Sequence, residues 1–181
     1  MKIKKTIPFV LCFLFGAVVS AGYFYFPERA PSGAASPFDY PVKVSVREIR
    51  NRTLMAEARG HKIISDQPKE FGADDKGPTP PELLAASFGT CIAATIRLLA
   101  SRENIQISDI KVEVEGLIDF AKAMGKPGKN RAGFQGLTAK ISFDSTMGDG
   151  EKQDFISRVS EIGAALDTIG NKTPVRYVLL Q

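Results

Sequence analysis

Residues 77–100 read GPTPPELLAASFGTCIAATIRLLA, and this stretch decides the fold. Thr79 and Glu82 have the spacing of a capping box, in which the threonine side chain accepts the amide of the third helical residue and the glutamate reaches back. Pro80 and Pro81 fall in the first helical turn, where an amide has no helical partner to lose. The helix therefore starts at Thr79, and its pattern carries it to about Ser101 or Arg102. Its body is apolar on nearly every side, which fits a buried or membrane-spanning helix and not an amphipathic surface one. Ser87, Gly89, Thr90, Thr95 and Arg97 disfavour a membrane span, so it reads as a core helix enclosed by sheets. A domain of this size cannot easily wrap a helix completely, and a second subunit is expected to help cover it.

The flanking segments alternate with a period of two, as half-buried strands do. Val42–Ile49 sets Val42, Val44 and Val46 against Lys43, Ser45 and Arg47. Thr53–Arg59 and His61–Ser65 read as two short strands around Gly60, and residues 66–81 as loop. Ile110–Gly116 and Phe134–Phe143 alternate as well, with Leu137, Ala139, Ile141 and Phe143 on one face. Between them, Lys122, Lys126, Lys129 and Arg131 lie among glycines in an exposed hairpin loop. Gly150–Leu166 has the period of one amphipathic helix, with Phe155, Val159 and Ile162 on its apolar stripe. Pro174–Leu180 is expected to close the fold as a strand. The succession of strands and helices shows no internal repeat.

The N-terminus carries Lys2, Lys4 and Lys5 and then an uncharged apolar run from about Ile7 to Phe26. A run near twenty residues can span a hydrocarbon core of roughly 30 Å, whereas a secretory h-region is about 7–15 residues. Residues 1–27 are therefore expected to be an uncleaved signal anchor, with a cleaved signal as the alternative. The lysine bias puts the N-terminus inside, so the domain belongs outside the cytoplasmic membrane, facing the periplasm or cell exterior. Residues 28–41, rich in Pro, Ser, Ala and Gly, read as a flexible linker. The folded domain spans 42–181.

The chain has 181 residues, 44% of them hydrophobic, and a formal net charge of +4. Three of those charges precede the apolar run, leaving +1 for the rest, a balance that argues against a nucleic-acid partner. Cys12 lies in the apolar run, so the domain has one thiol, Cys91, and cannot form an internal disulfide. With His61 the only histidine, a tetrahedral zinc site is not expected, and no motif calls for a cofactor.

Cys91 lies midway along the central helix. Residues four apart share a helix face, so Ser87, Cys91 and Thr95 form a polar line on an apolar cylinder. From spacing alone Cys91 is either a small buried hydrophobe or a reactive thiol. A thiolate needs a cation, a helix N-terminus or a base beside it. Cys91 is about three turns from the start of its own helix, where the dipole helps little, and Arg97 faces elsewhere. A stabilising cation has to come from another element.

Gly60-His61, Ile63-Ile64, Asp66-Gln67-Pro68, Gly72 and the block from Gly77 to Cys91 together resemble the OsmC/Ohr family, whose pattern is GPTPxELLxAxxGxC. Val114-Glu115-Gly116, Gly133-Phe134 and Thr173-Pro174-Val175 are similar to the family downstream, and the resemblance covers about Val42 to Gln181. It implies an α+β, OsmC-like fold, an intertwined homodimer whose central helices are wrapped by antiparallel sheets. It further implies a thiol peroxidase acting on organic hydroperoxides, with an external thiol as reductant. Cys91 then matches the peroxidatic cysteine, Glu82 the glutamate of the Pro-Glu motif, and Arg59 the activating arginine. Each has a plainer reading too: core cysteine, helix cap and strand-end charge. Glu82 precedes Cys91 by nine residues, about 13.5 Å of rise and the opposite face, so it is expected to act on the partner's thiol. Gly163 stands where the family's resolving cysteine falls. That absence leaves room for a non-catalytic module binding a hydrophobic small molecule.

Overall fold

The computed structural model describes residues 36–180. The expected anchor, residues 1–27, and most of the linker lie outside the described residues. The fold occupies the unit Val42–Gln181. Of the unit before it, residues 36–41 are described, and there the Ser36 amide donates to the Asp39 carboxylate at 2.9 Å.

Three short strands, β1 (Ser45–Arg50), β2 (Thr53–Ala58) and β3 (His61–Ser65), form an antiparallel sheet in sequence order. Two-residue turns join them, Asn51-Arg52 (φ 44° and 69°) and Arg59-Gly60 (φ 53° and 83°). Both central residues of each turn are left-handed, the conformation whose twist matches a hairpin. The sheet is pinned to the following loop through Asp66, which is buried. Its carboxylate accepts the Gln67 amide at 2.8 Å, the Lys76 amide at 3.0 Å and the Thr53 hydroxyl at 3.2 Å. Burial alone would push this carboxyl up; the two amides and the hydroxyl outweigh it and hold it below its ordinary value. The Pro78 carbonyl accepts the Ser65 hydroxyl at 2.9 Å and the Asp66 amide at 3.2 Å. Gly77 passes so close to β3 that a Cβ there would lie 2.5 Å from the Ile64 carbonyl oxygen.

The loop delivers the chain into α1 (Pro80–Glu103), whose expected capping box is present with Thr79 as N-cap. The helix ends at Asn104, left-handed at φ 57°. It packs on the hairpin β4 (Ser108–Ile118) and β5 (Phe134–Asp144). Gly89 allows that approach, since a Cβ there would meet Val114 at 3.2 Å. α2 (Asp149–Ile162) and α3 (Ala164–Gly170) cover the other side. The core is Ile92, Ile96, Leu99 and Ala100 of α1 with Ile107, Phe155 and Val159. Phe155 and Val159 are buried as the periodicity predicts, whereas Ile162 is exposed.

Two expectations need correction. Residues 150–166 are not one helix: Gly163 is extended (φ −78°, ψ 119°) and separates α2 from α3. Pro174–Leu180 is not a strand; residues 172–180 have no regular structure, and Tyr177, Leu179 and Leu180 are almost fully exposed. A strand exists only where its amides and carbonyls find a neighbouring edge, and among the described residues this segment pairs with no strand. Within one chain the enclosure of α1 is incomplete, as expected for a domain of this size. β1–β3 adds nothing to the core, and Leu84, Ala86, Thr90, Ala94 and Leu98 are exposed along the helix.

Candidate functional site

The polar line on α1 runs from solvent into the core: Ser87 is exposed, Cys91 half-buried and Thr95 buried. Each step of four residues descends the face that turns from the open side of α1 towards α2 and α3. The Thr95 hydroxyl stands 4.0 Å from the Cys91 sulfur. The amide of Ala165 donates to the same sulfur at 3.4 Å. Ala165 is in the first turn of α3, where an amide has no carbonyl of its own helix to bond. The break at Gly163 turns this amide towards α1. Within the chain, the group that reaches Cys91 from another element is thus a backbone N–H.

The other two expected site residues are not brought to Cys91 within the chain. The Glu82 carboxylate accepts the Thr79 amide at 2.7 Å and the Thr79 hydroxyl at 2.8 Å. These bonds, the amide first, hold its carboxyl below the ordinary value. Arg59 is the first central residue of the β2–β3 turn, exposed and at positive φ. A non-glycine residue there carries some strain, about 1 kcal/mol or more. Arg97 donates from Nη1 to the Ile107 carbonyl at 2.6 Å, tying α1 to the start of β4. It therefore has a structural role and does not face the thiol.

A groove of about 1140 Å³ runs beside the N-terminal half of α1, between the tip of the β4–β5 hairpin and α3. Leu84, Phe88, Phe134, Leu137, Leu166 and Ile169 give it apolar walls, and Arg131 supplies a cation. Phe88 is three residues before Cys91 on the helix, and Leu166 follows Ala165, so two lining residues are chain neighbours of the thiol and its donor. An apolar group held there would present its polar end to a half-buried sulfur with one donor aimed at it. Among the described residues no cluster of His, Cys, Asp or Glu is able to hold a metal ion.

Sequence reasoning missed Ala165, Leu166 and Arg131 as site residues. Ala165 acts through its backbone, which no side-chain motif reveals. A signal was present nonetheless: Gly163 before Ala-Ala-Leu-Asp has the form of a helix start, with Asp167 in its first turn.

A family model described as OsmC-like protein matches residues 73–178. A protein of Bacillus subtilis (strain 168), the uncharacterized protein YmaD, is 28% identical over 57 residues, 32% of this chain and 38% of that protein. Among solved structures, an OsmC-like protein from Mycoplasma pneumoniae superposes with a TM-score of 0.64 at 22% identity, over 73% of this chain and 89% of the other. An organic hydroperoxide resistance protein OsmC from Legionella pneumophila gives 0.51 at 21%, over 72% and 89%. One from Elizabethkingia anophelis gives 0.52 at 18%, over 73% and 89%. At these identities the likeness establishes a shared fold: mixed α and β, with a central helix and antiparallel sheets.

Proposed function

This chain belongs to the OsmC-like protein family, and on that premise we propose that its domain is a thiol peroxidase reducing organic hydroperoxides through Cys91. The observation that carries the reading is the half-buried Cys91 sulfur with the Ala165 amide aimed at it, with Phe88 of the same helix and Leu166 of α3 lining an apolar groove. The reacting form of a cysteine is the thiolate, and a hydrogen-bond donor aimed at the sulfur can hold it in place for attack. In the proposed reaction the thiolate sulfur attacks the outer oxygen of ROOH and the O–O bond breaks. The inner oxygen leaves with a proton as ROH, and Cys91 becomes the sulfenic acid. An external thiol then forms a mixed disulfide with release of water, and a second thiol regenerates Cys91. With Gly163 in place of a second cysteine, the reductant comes from outside the chain.

The domain acts, in this proposal, as a homodimer. The exposed face of α1, the exposed strand β1 and the exposed residues 174–180 are the surfaces that a second copy would cover. Arg59 and Glu82 would serve the partner's thiol, the carboxylate orienting the guanidinium by a paired contact. The N-terminal apolar run would hold the domain at the cytoplasmic membrane, on its outer side.

The test is stopped-flow oxidation by an organic hydroperoxide, with mass analysis of the product. Wild type is expected to gain one oxygen at Cys91, trapped by a sulfenate reagent, and Cys91→Ser to gain none there. Excess peroxide drives the unprotected sulfenate on to the sulfinic acid. Oxidation no faster than that of free cysteine would sink the peroxidase reading. The groove then favours a second reading, a non-catalytic module holding a hydrophobic small molecule.

A further inference from the structure

The loop at the end of the β4–β5 hairpin, residues 119–131, concentrates charge that the rest of the domain balances. It holds Lys122, Lys126, Lys129 and Arg131 against the single acid Asp119, and all four cations are exposed. Apolar side chains accompany them: Phe120 and Met124 in the loop are 42% and 50% exposed, and Leu117 at the end of β4 is 73% exposed. The loop is braced internally. Asp119 takes the Ala121 amide at 2.9 Å and the Asn130 side-chain amide at 3.0 Å. The Met124 amide donates to the Phe120 carbonyl at 3.0 Å and the Lys126 amide to the Ala121 carbonyl at 2.8 Å. The Phe120 ring rests on Phe71 with centroids 6.1 Å apart. The one acid is therefore turned inward by its bonds, while cations and apolar groups are presented together on a fixed turn.

We propose that this hairpin tip docks on the surface of an anionic phospholipid bilayer. The headgroup layer offers negative charge to the lysines and, a few ångströms deeper, hydrocarbon to Met124, Leu117 and Phe120. A nucleic acid matches the charge and leaves the aliphatic groups in water. A second copy of this chain matches the apolar groups and would have to bring lysine against lysine. The docked loop has a functional consequence, because Phe120, Ala123 and Arg131 form the outer wall of the groove that leads to Phe88 and Leu166. Docking opens that groove onto the lipid. The docking itself does not depend on the peroxidase reading.

The chain contains no tryptophan, so Met124→Trp creates a single reporter at the tip, with Ala123→Trp as a second in case the first disturbs the loop. The full chain is placed in nanodiscs of phosphatidylcholine, with or without phosphatidylglycerol. A chain that fails to enter nanodiscs is titrated with vesicles of the same lipids, so loss of the anchor and loss of docking are read separately. Docking predicts a blue-shifted emission with anionic lipid, reversed by salt and absent with phosphatidylcholine alone. Each basic residue near an anionic surface changes the docked ratio by roughly fivefold. Lys122, Lys126 and Lys129 together changed to Gln should lower it on the order of 100-fold. No shift with anionic lipid at either reporter position overturns the proposal. So does an equal shift with zwitterionic lipid, with a DNA duplex, or on concentrating the protein without lipid.

Discussion

Ala165→Pro removes one hydrogen atom from the candidate site, the N–H that donates to the Cys91 sulfur at 3.4 Å. The position tolerates proline better than most. It lies in the first turn of α3, where the lost amide has no helical carbonyl to leave unpaired, and α1 already accepts two prolines at its own start. A hydrogen bond to a charged acceptor contributes about 1.5–3 kcal/mol. Sulfur is a weaker acceptor than oxygen, which argues for the lower end, about 1.5 kcal/mol and hence roughly tenfold in rate. Second-order rates of alkylation and of hydroperoxide oxidation at neutral pH should both fall by about that factor. Ala165→Gly keeps the amide and should retain nearly the wild-type rate. Thermal melts of both variants separate loss of donor from loss of fold. A folded Ala165→Pro variant that reacts as fast as wild type would refute the idea that this amide activates the thiol.

Gly77→Ala puts a Cβ 2.5 Å from the Ile64 carbonyl oxygen. It should cost about 1–3 kcal/mol as overpacking against backbone, lowering Tm by roughly 3–10 °C for a domain of this size. Asp66 contributes stability above the ordinary carboxylate range, because its folded-state carboxyl is held low; that contribution disappears as pH falls through the lowered value. Asp66→Asn should therefore flatten the acid limb of a Tm-against-pH curve, and an unchanged limb would show that the carboxylate is not responsible. Gly163→Cys has an allowed backbone but meets Leu166 Cδ1 at 2.8 Å. Paired with Leu166→Ala, it should give a peroxide-dependent disulfide with Cys91, read as the loss of two hydrogens by mass. If Arg59 serves a partner thiol, Arg59→Ala slows peroxide oxidation more than Arg97→Ala does, since Arg97 is committed to the Ile107 carbonyl; equal rates would remove Arg59 from the site.

The sequence alone determined whatever depends on a few neighbouring residues. Thr79, Pro80, Pro81 and Glu82 set the start of α1 because a cap is made within four positions. The alternation of Val112 and Val114 with Glu113 and Glu115, and of Leu137 to Phe143, set the β4–β5 faces because pleating has a period of two. Cys91 was singled out by the block that ends on it. Tertiary structure decided the rest. Gly163 breaks a pattern that reads as one helix, since the Leu166 side chain takes the space beside it and the apolar period continues through the break. Pro174–Leu180 has strand composition and no strand, because pairing needs an edge that lies elsewhere in space. The donor at Cys91 is 74 residues away along the chain and comes from a backbone amide, the same group in every residue but proline. Only the packing of α3 on α1 distinguishes the amide of Ala165 from all the others.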